Sequence, residues 1–179
     1  MMERVDYLFK QYENILDWYK QAESKSTLLH TINGLLVGAV NGLVFVGADK
    51  VKAVRAFHTD LMWGLLLFVA VCVICSYLCM LRAVWARHRG AEPSLSDKEK
   101  LWFFGHVGQM PAETYKQLLS PFNIDDIEAT MLAQNHILSR NVAIKFDALN
   151  WAISLTITAL VVFFVLGVVY TSAVFIELR

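Results

Sequence analysis

Cations and aromatic rings crowd one polar stretch of this sequence: Arg87, Arg89, Lys98, Lys100, Trp102, Phe103, Phe104, Tyr115, Arg140 and Lys145. Such a mix can hold a nucleotide, a cation meeting the phosphate and a ring stacking on the base. It also suits a basic collar at a membrane surface around a packed aromatic core, and spacing alone favours the collar. Asp125, Asp126 and Glu128 could be drawn as a metal cluster, but a helix start explains them with less, because carboxylates in a first turn complement the helix dipole. The histidines, His30, His58, His88, His106 and His136, form no ligand pair at i, i+3 or i, i+4. Cys72, Cys75 and Cys79 share a helical face inside an apolar run with no His or carboxylate beside them, and read as small apolar side chains. A P-loop, a dinucleotide fingerprint and a Gly-x-Ser-x-Gly elbow are all missing from the sequence. These residues suggest binding, not catalysis, and imply no metal.

The elements that must position them lie partly in lipid. The chain has 179 residues, of which 56% are apolar and 18% charged, with a net charge of zero. Its mean hydropathy is +0.46. Charge is absent from long stretches and dense in the rest. That excludes disorder and a nucleic-acid binder working by bulk basicity. It predicts an all-α integral membrane protein, one domain in length, with a modest water-facing part. Residues 1–26 are charged and lack an apolar core or cleavage site, so they are no signal peptide.

Three apolar runs are expected to cross the membrane: residues 28–48, 61–81 and 149–176. The first two have 21 residues each, about 31 Å as a helix against a hydrocarbon core of roughly 30 Å. The third is longer and should tilt or emerge. Three crossings put residues 1–26 and the long polar segment 82–148 on one side. That side carries twelve Lys and Arg and the other four, so the positive-inside rule makes it cytoplasmic.

Within the first run, Gly34, Gly38 and Gly42 repeat every four residues on one helical face. Small residues at that spacing let backbones approach closely in lipid. The partner could be another span of the same chain or a second subunit of a homo-oligomer. His30, Asn33 and Asn41 lie in or beside this run. They could line a pore, though an Asn in a membrane bundle more often bonds a neighbouring helix. In the third run, Ser154, Thr156 and Thr158 can bond back to their own helix.

The water-facing part should be helical. Val5, Leu8, Phe9, Tyr12, Ile15, Leu16 and Tyr19 have amphipathic-helix spacing, and no Pro or Gly separates them from the first span. Gly90 and Pro93 mark a turn over residues 87–96. Ser96 and Glu99 have capping-box spacing for a short helix through residues 101–104. Pro111 opens another helix, with Pro121 after it. Asn123 then caps a long helix that meets no Gly or Pro until Gly167 and becomes the third span.

Several motifs resemble those of the Pycsar transmembrane effectors. One is Asp17-Trp18, then Ala22-Glu23-Ser24-Lys25 leading to Asn33-Gly34. A second is Leu101-Trp102-Phe103-Phe104-Gly105-His106-Val107 followed by Tyr115. A third is Ala133-Gln134, His136, Leu138-Ser139 and Ala143-Ile144-Lys145-Phe146. Order and spacing agree over nearly the whole chain. The resemblance implies a multi-pass bacterial inner-membrane effector of antiphage defence. It would sense a cyclic pyrimidine nucleotide, cUMP or cCMP, from a partner cyclase, then impair the membrane and cause growth arrest or abortive infection. It implies no enzyme activity and no nucleic-acid partner. It fixes no contact residues, so Arg87, Arg89, Trp102, Phe104, Tyr115, Arg140 and Lys145 stand as the ligand-binding expectation from residue type. A constitutive structural or accessory membrane protein without a nucleotide is the other reading.

Overall fold

A computed structural model describes residues 2–45, 59–85, 101 and 107–177 of the chain, with side chains described over 3–42, 61–84, 101 and 107–172. These residues form four helices: α1 (Met2–Phe45), α2 (Thr59–Trp85), α3 (Ala112–Leu119) and α4 (Ile124–Glu177). No strand occurs among them. The expected continuity of the first amphipathic segment with the apolar run after it is borne out in α1, a single helix of 44 residues. The long helix expected from Asn123 is α4, with 54 residues. Its start is a capping box: the Asp126 amide donates to Asn123 Oδ1 at 2.8 Å, and the Asn123 amide donates to Asp126 Oδ2 at 3.3 Å. Pro111 caps α3 in an extended conformation, one residue before the first helical position expected of it. The short helix expected over 96–104 lies outside the described residues, apart from Leu101, which sits in a turn.

Two helices, not the three expected, are long and apolar enough to cross a membrane among the described residues: Leu61–Val84 in α2 and Ile124–Ser172 in α4. The run 28–48 is described only in part: its side chains from residue 43 on, and residues 46–48 entirely, lie outside the described residues. Only 28% of the apolar window in α2 and 22% of that in α4 is buried within the chain. A core helix of a soluble protein would be mostly buried, whereas these present their apolar residues outward.

The chain divides into two compact units. The first comprises Met1–Glu23 and Val84–Phe146, the second Ser24–Ala83 and Asp147–Arg179. In the first, Leu8, Ile15 and Ala22 of α1 are buried, as are Met131, Asn135 and Lys145 of α4. In the second, Leu36 of α1, Val69, Cys72 and Val73 of α2, and Ala159 and Leu166 of α4 form one buried cluster. Buried residues on α1 recur every seven positions, Leu8, Ile15, Ala22, Leu29 and Leu36. On α4, Leu149, Ala152, Thr156 and Ala159, with Leu166 one heptad further on, follow the alternating three- and four-residue steps of a knobs-into-holes seam, as do Val69, Val73, Ser76, Met80 and Ala83 on α2. The surface of the second unit is apolar: Leu35, Leu67, Ile74, Leu78, Ile157, Val161 and Phe164 are all exposed.

Candidate functional site

The first unit holds what is described of the expected ligand set. Arg87, Arg89, Trp102 and Phe104 lie outside the described residues, as do Lys98, Lys100 and Phe103. Tyr115 is half-buried on α3, and Arg140 is exposed on α4. Lys145 is 4% exposed. Its ammonium lies 3.6 Å from Glu23 Oε1 and 3.9 Å from the centroid of the Tyr19 ring. A buried ammonium needs such partners. Residue-type reasoning named Lys145 but missed Glu23 and Tyr19, because pairing across two helices depends on their rotation about their axes.

Beside this pair, Trp18 of α1 meets Phe146 of α4 edge to face, with centroids 6.0 Å apart. Both rings line a cleft of about 300 Å³ with Ile15, Ser139, Val142 and Ala143. Its wall is apolar apart from the Ser139 hydroxyl and the Trp18 indole N–H, so it suits a flat ring better than a phosphate. A second cleft, of about 530 Å³, is lined by Arg4, Asp125, Glu128, Ala129 and Leu132. Arg4 there lies 3.5 Å from Glu128 Oε1, and the two carboxylates make the cleft unfavourable to an anion. The acidic cluster therefore acts as the helix start expected of it, with Asp126 in the capping box. Among the described residues no group of three or more His, Cys, Asp or Glu could hold a metal. Asn135 donates its amide to the Leu8 carbonyl at 3.0 Å and to Gln11 Oε1 at 3.3 Å, while its own Oδ1 is buried with no partner among the described residues.

The second unit carries a different constellation. Asn33 of α1, Ser76 of α2 and Thr156 of α4 are buried and bonded to one another. Asn33 Nδ2 donates to Ser76 Oγ at 3.0 Å, Thr156 Oγ1 donates to Asn33 Oδ1 at 3.1 Å, and the two hydroxyls are 3.0 Å apart. Asn33 thus takes the bonding role weighed for it against pore lining. Thr156 also reaches the Ala152 carbonyl of its own helix at 2.9 Å, as expected of it. Ser76 gave no signal beyond being a hydroxyl at a seam position of an apolar run. His30 is bound to the same helix as Ser76, its Nδ1 lying 3.0 Å from Met80 Sδ and its ring 5.5 Å from that of Tyr77.

The glycine face behaves differently from the polar cluster. A Cβ at Gly34, Gly38 or Gly42 would meet nothing within 4 Å. No close backbone approach within the described chain therefore uses them. Asn41 is exposed near that face and has no hydrogen-bond partner among the described residues.

A family model for the Pycsar effector protein domain matches residues 7–172. No curated protein and no solved structure matches the chain.

Proposed function

Because the chain belongs to the Pycsar effector family, we propose that it is a ligand-gated membrane effector of antiphage defence. A cyclic pyrimidine nucleotide, cUMP or cCMP, supplied by a partner cyclase, binds the water-facing helices. The protein then impairs the inner membrane and stops growth. One observation carries this reading: α1 and α4 each contribute an unbroken helix to both the polar-surfaced and the apolar-surfaced unit. A ligand that favours one arrangement of their water-facing turns acts through the same continuous helices on the turns in lipid. The protein does this by binding and movement, without chemistry of its own.

In this reading residues 28–48 are a third crossing, and residues 1–26 and 82–148 are cytoplasmic, following the Lys and Arg count of twelve to four. Single cysteines at Ser94 and Ser120, with Cys72, Cys75 and Cys79 replaced, stay unlabelled by an impermeant thiol reagent in intact cells, while one at Thr59 reacts. Labelling of Ser94 or Ser120 from outside overturns the orientation. The base enters the cleft whose wall Trp18 and Phe146 line together, and Arg140 is an exposed cation next in sequence to Ser139 of that cleft. Trp102, Phe104, Arg87 and Arg89 complete the proposed ligand set.

Copies assemble through α1. What supports this is the open space at Gly34 and Gly38 and an Asn41 amide with no partner among the described residues, which is costly against lipid and can pair with its own copy. Gly38→Ile then reduces both oligomer size and growth inhibition. Unchanged oligomer size leaves the glycine face to lipid.

The deciding experiment uses the purified protein in dye-loaded liposomes. Either cUMP or cCMP raises the melting temperature and releases dye, and linear 5′-UMP or 5′-CMP does neither. Equal release without nucleotide, with no melting shift from either cyclic compound, replaces the gated reading with a constitutive one.

A further inference from the structure

The hydrogen bonds of Asn33, Ser76 and Thr156 close a ring, and the ring has a built-in alternative. Asn33 Nδ2–H reaches Ser76 Oγ, Ser76 O–H can reach Thr156 Oγ1, and Thr156 O–H reaches Asn33 Oδ1. Each member then donates once and accepts once, an arrangement in which every bond polarises the next. The Ala152 carbonyl of α4 stands beside both hydroxyls, 3.1 Å from Ser76 Oγ and 2.9 Å from Thr156 Oγ1. A carbonyl oxygen has two lone pairs and can take both protons.

The three members are therefore not equivalent. If α1 withdraws Asn33, Ser76 and Thr156 swing their protons to the Ala152 carbonyl and stay satisfied. The bond from Ser76 to Ala152 still ties α2 to α4. Only the Asn33 amide loses its partners, and it can regain them from water or from a second copy. Apolar contact does little to oppose this. Leu29, Leu36 and Val40 of α1 face the other helices, but lipid tails are as apolar as those neighbours, so exchanging one for the other changes little.

We propose that this ring is the catch that holds α1 against the α2–α4 pair in the resting membrane unit, and that activation releases α1 while α2 and α4 stay together. The proposal rests on the gated-effector reading for its trigger and on residues 28–48 lying in lipid. The catch itself can be tested without any nucleotide.

The test is paired cross-linking of the full chain in liposomes, with Cys72, Cys75 and Cys79 replaced by Ala. His30→Cys with Met80→Cys reports the α1–α2 contact, and Val69→Cys with Ala159→Cys reports α2–α4. Asn33→Leu keeps the volume and removes the ring. It is expected to slow α1–α2 cross-linking about tenfold, the scale of one to two intramembrane hydrogen bonds, and to leave α2–α4 cross-linking unchanged. An unchanged α1–α2 rate means the ring does not hold α1 and overturns the proposal. An equal fall at both pairs makes the ring general glue and overturns it too. Should Asn33→Leu fail to fold, Thr156→Val, which removes one ring donor at nearly constant volume, carries the same comparison. Dye release tests gating separately. Where cUMP or cCMP releases dye, Asn33→Leu lowers the midpoint concentration. Where neither does, the gated reading fails while the cross-linking result stands.

Discussion

The two units differ in what the same helices carry outward, while both bury polar groups, Asn135 and Lys145 in the first and Asn33 and Thr156 in the second. In the first, α1 and α4 bury Leu8, Ile15, Ala22 and Met131 and carry Arg4, Glu13, Asp17, Lys20 and Arg140 at the surface. In the second they bury Asn33 and Thr156 and expose Leu35, Ile157, Val161 and Phe164. Along α1 the buried residues Leu8, Ile15, Ala22, Leu29 and Leu36 recur every seven positions. Helix rotation is thus set by the side chains at the seam, and the outward residues follow the solvent. The contrast also separates two kinds of cohesion. Water drives apolar side chains together in the first unit, whereas in lipid, specificity comes from close packing and from hydrogen bonds between helices.

Substitution of matched residues can break this contrast. The largest effect is expected where an exposed apolar residue becomes a cation. Phe164→Lys should disfavour insertion of α4 by roughly 3 kcal/mol, seen as loss of membrane-extracted protein, while Leu132→Lys, also exposed but in the first unit, should stay within about 0.5 kcal/mol. Equal loss in both would mean that the first unit also meets lipid. Next, Met131→Ala should destabilise the water-facing unit by about 2–3 kcal/mol through a cavity, read as a lower melting temperature. Leu36→Ala should cost about 1 kcal/mol, since only packing, and not water, opposes it.

Smaller effects sharpen the polar side of the comparison. Lys145→Met keeps the stem packed on Tyr19 and leaves Glu23 half-exposed, so denaturant unfolding should show a loss of about 1 kcal/mol. A loss above about 3 kcal/mol would mark the ammonium as indispensable to the core. Asn123→Ala removes one half of the capping box and should cost about 1 kcal/mol, detected as faster amide exchange in the first turn of α4. Smallest is Asn135→Leu, which gives up two bonds but also removes a buried acceptor without a partner, and should leave stability within about 1 kcal/mol.

Much of this architecture follows from local chemistry. The lack of Pro and Gly before Gly34 joined the amphipathic segment to the rest of α1, the lack of either before Gly167 made α4 legible as one helix, Asn123 and Asp126 marked the start of α4, and length without charge marked α2 and α4 as fit to cross a membrane. Residues 28–48 carry His30, Asn33 and Asn41 in an otherwise apolar run, and the described side chains cover them only to residue 42. The ligand set was legible only as a composition: Lys145 belonged to it by type, yet its ammonium is turned to Glu23 and Tyr19.

By itself, then, the sequence determined the helices, their caps, the family and the division between water-facing and apolar stretches. Each of these depends on residues within a few positions of one another, where propensity, capping and hydropathy act. Only the tertiary structure decided that Asn33, Ser76 and Thr156 form one ring and that Trp18 meets Phe146. Asn33 and Ser76 are 43 residues apart, and Ser76 and Thr156 are 80 apart. Nothing in a helix's own sequence fixes its rotation against another, because one step along the chain turns a side chain by about 100° and the partner's seam selects which turn is kept.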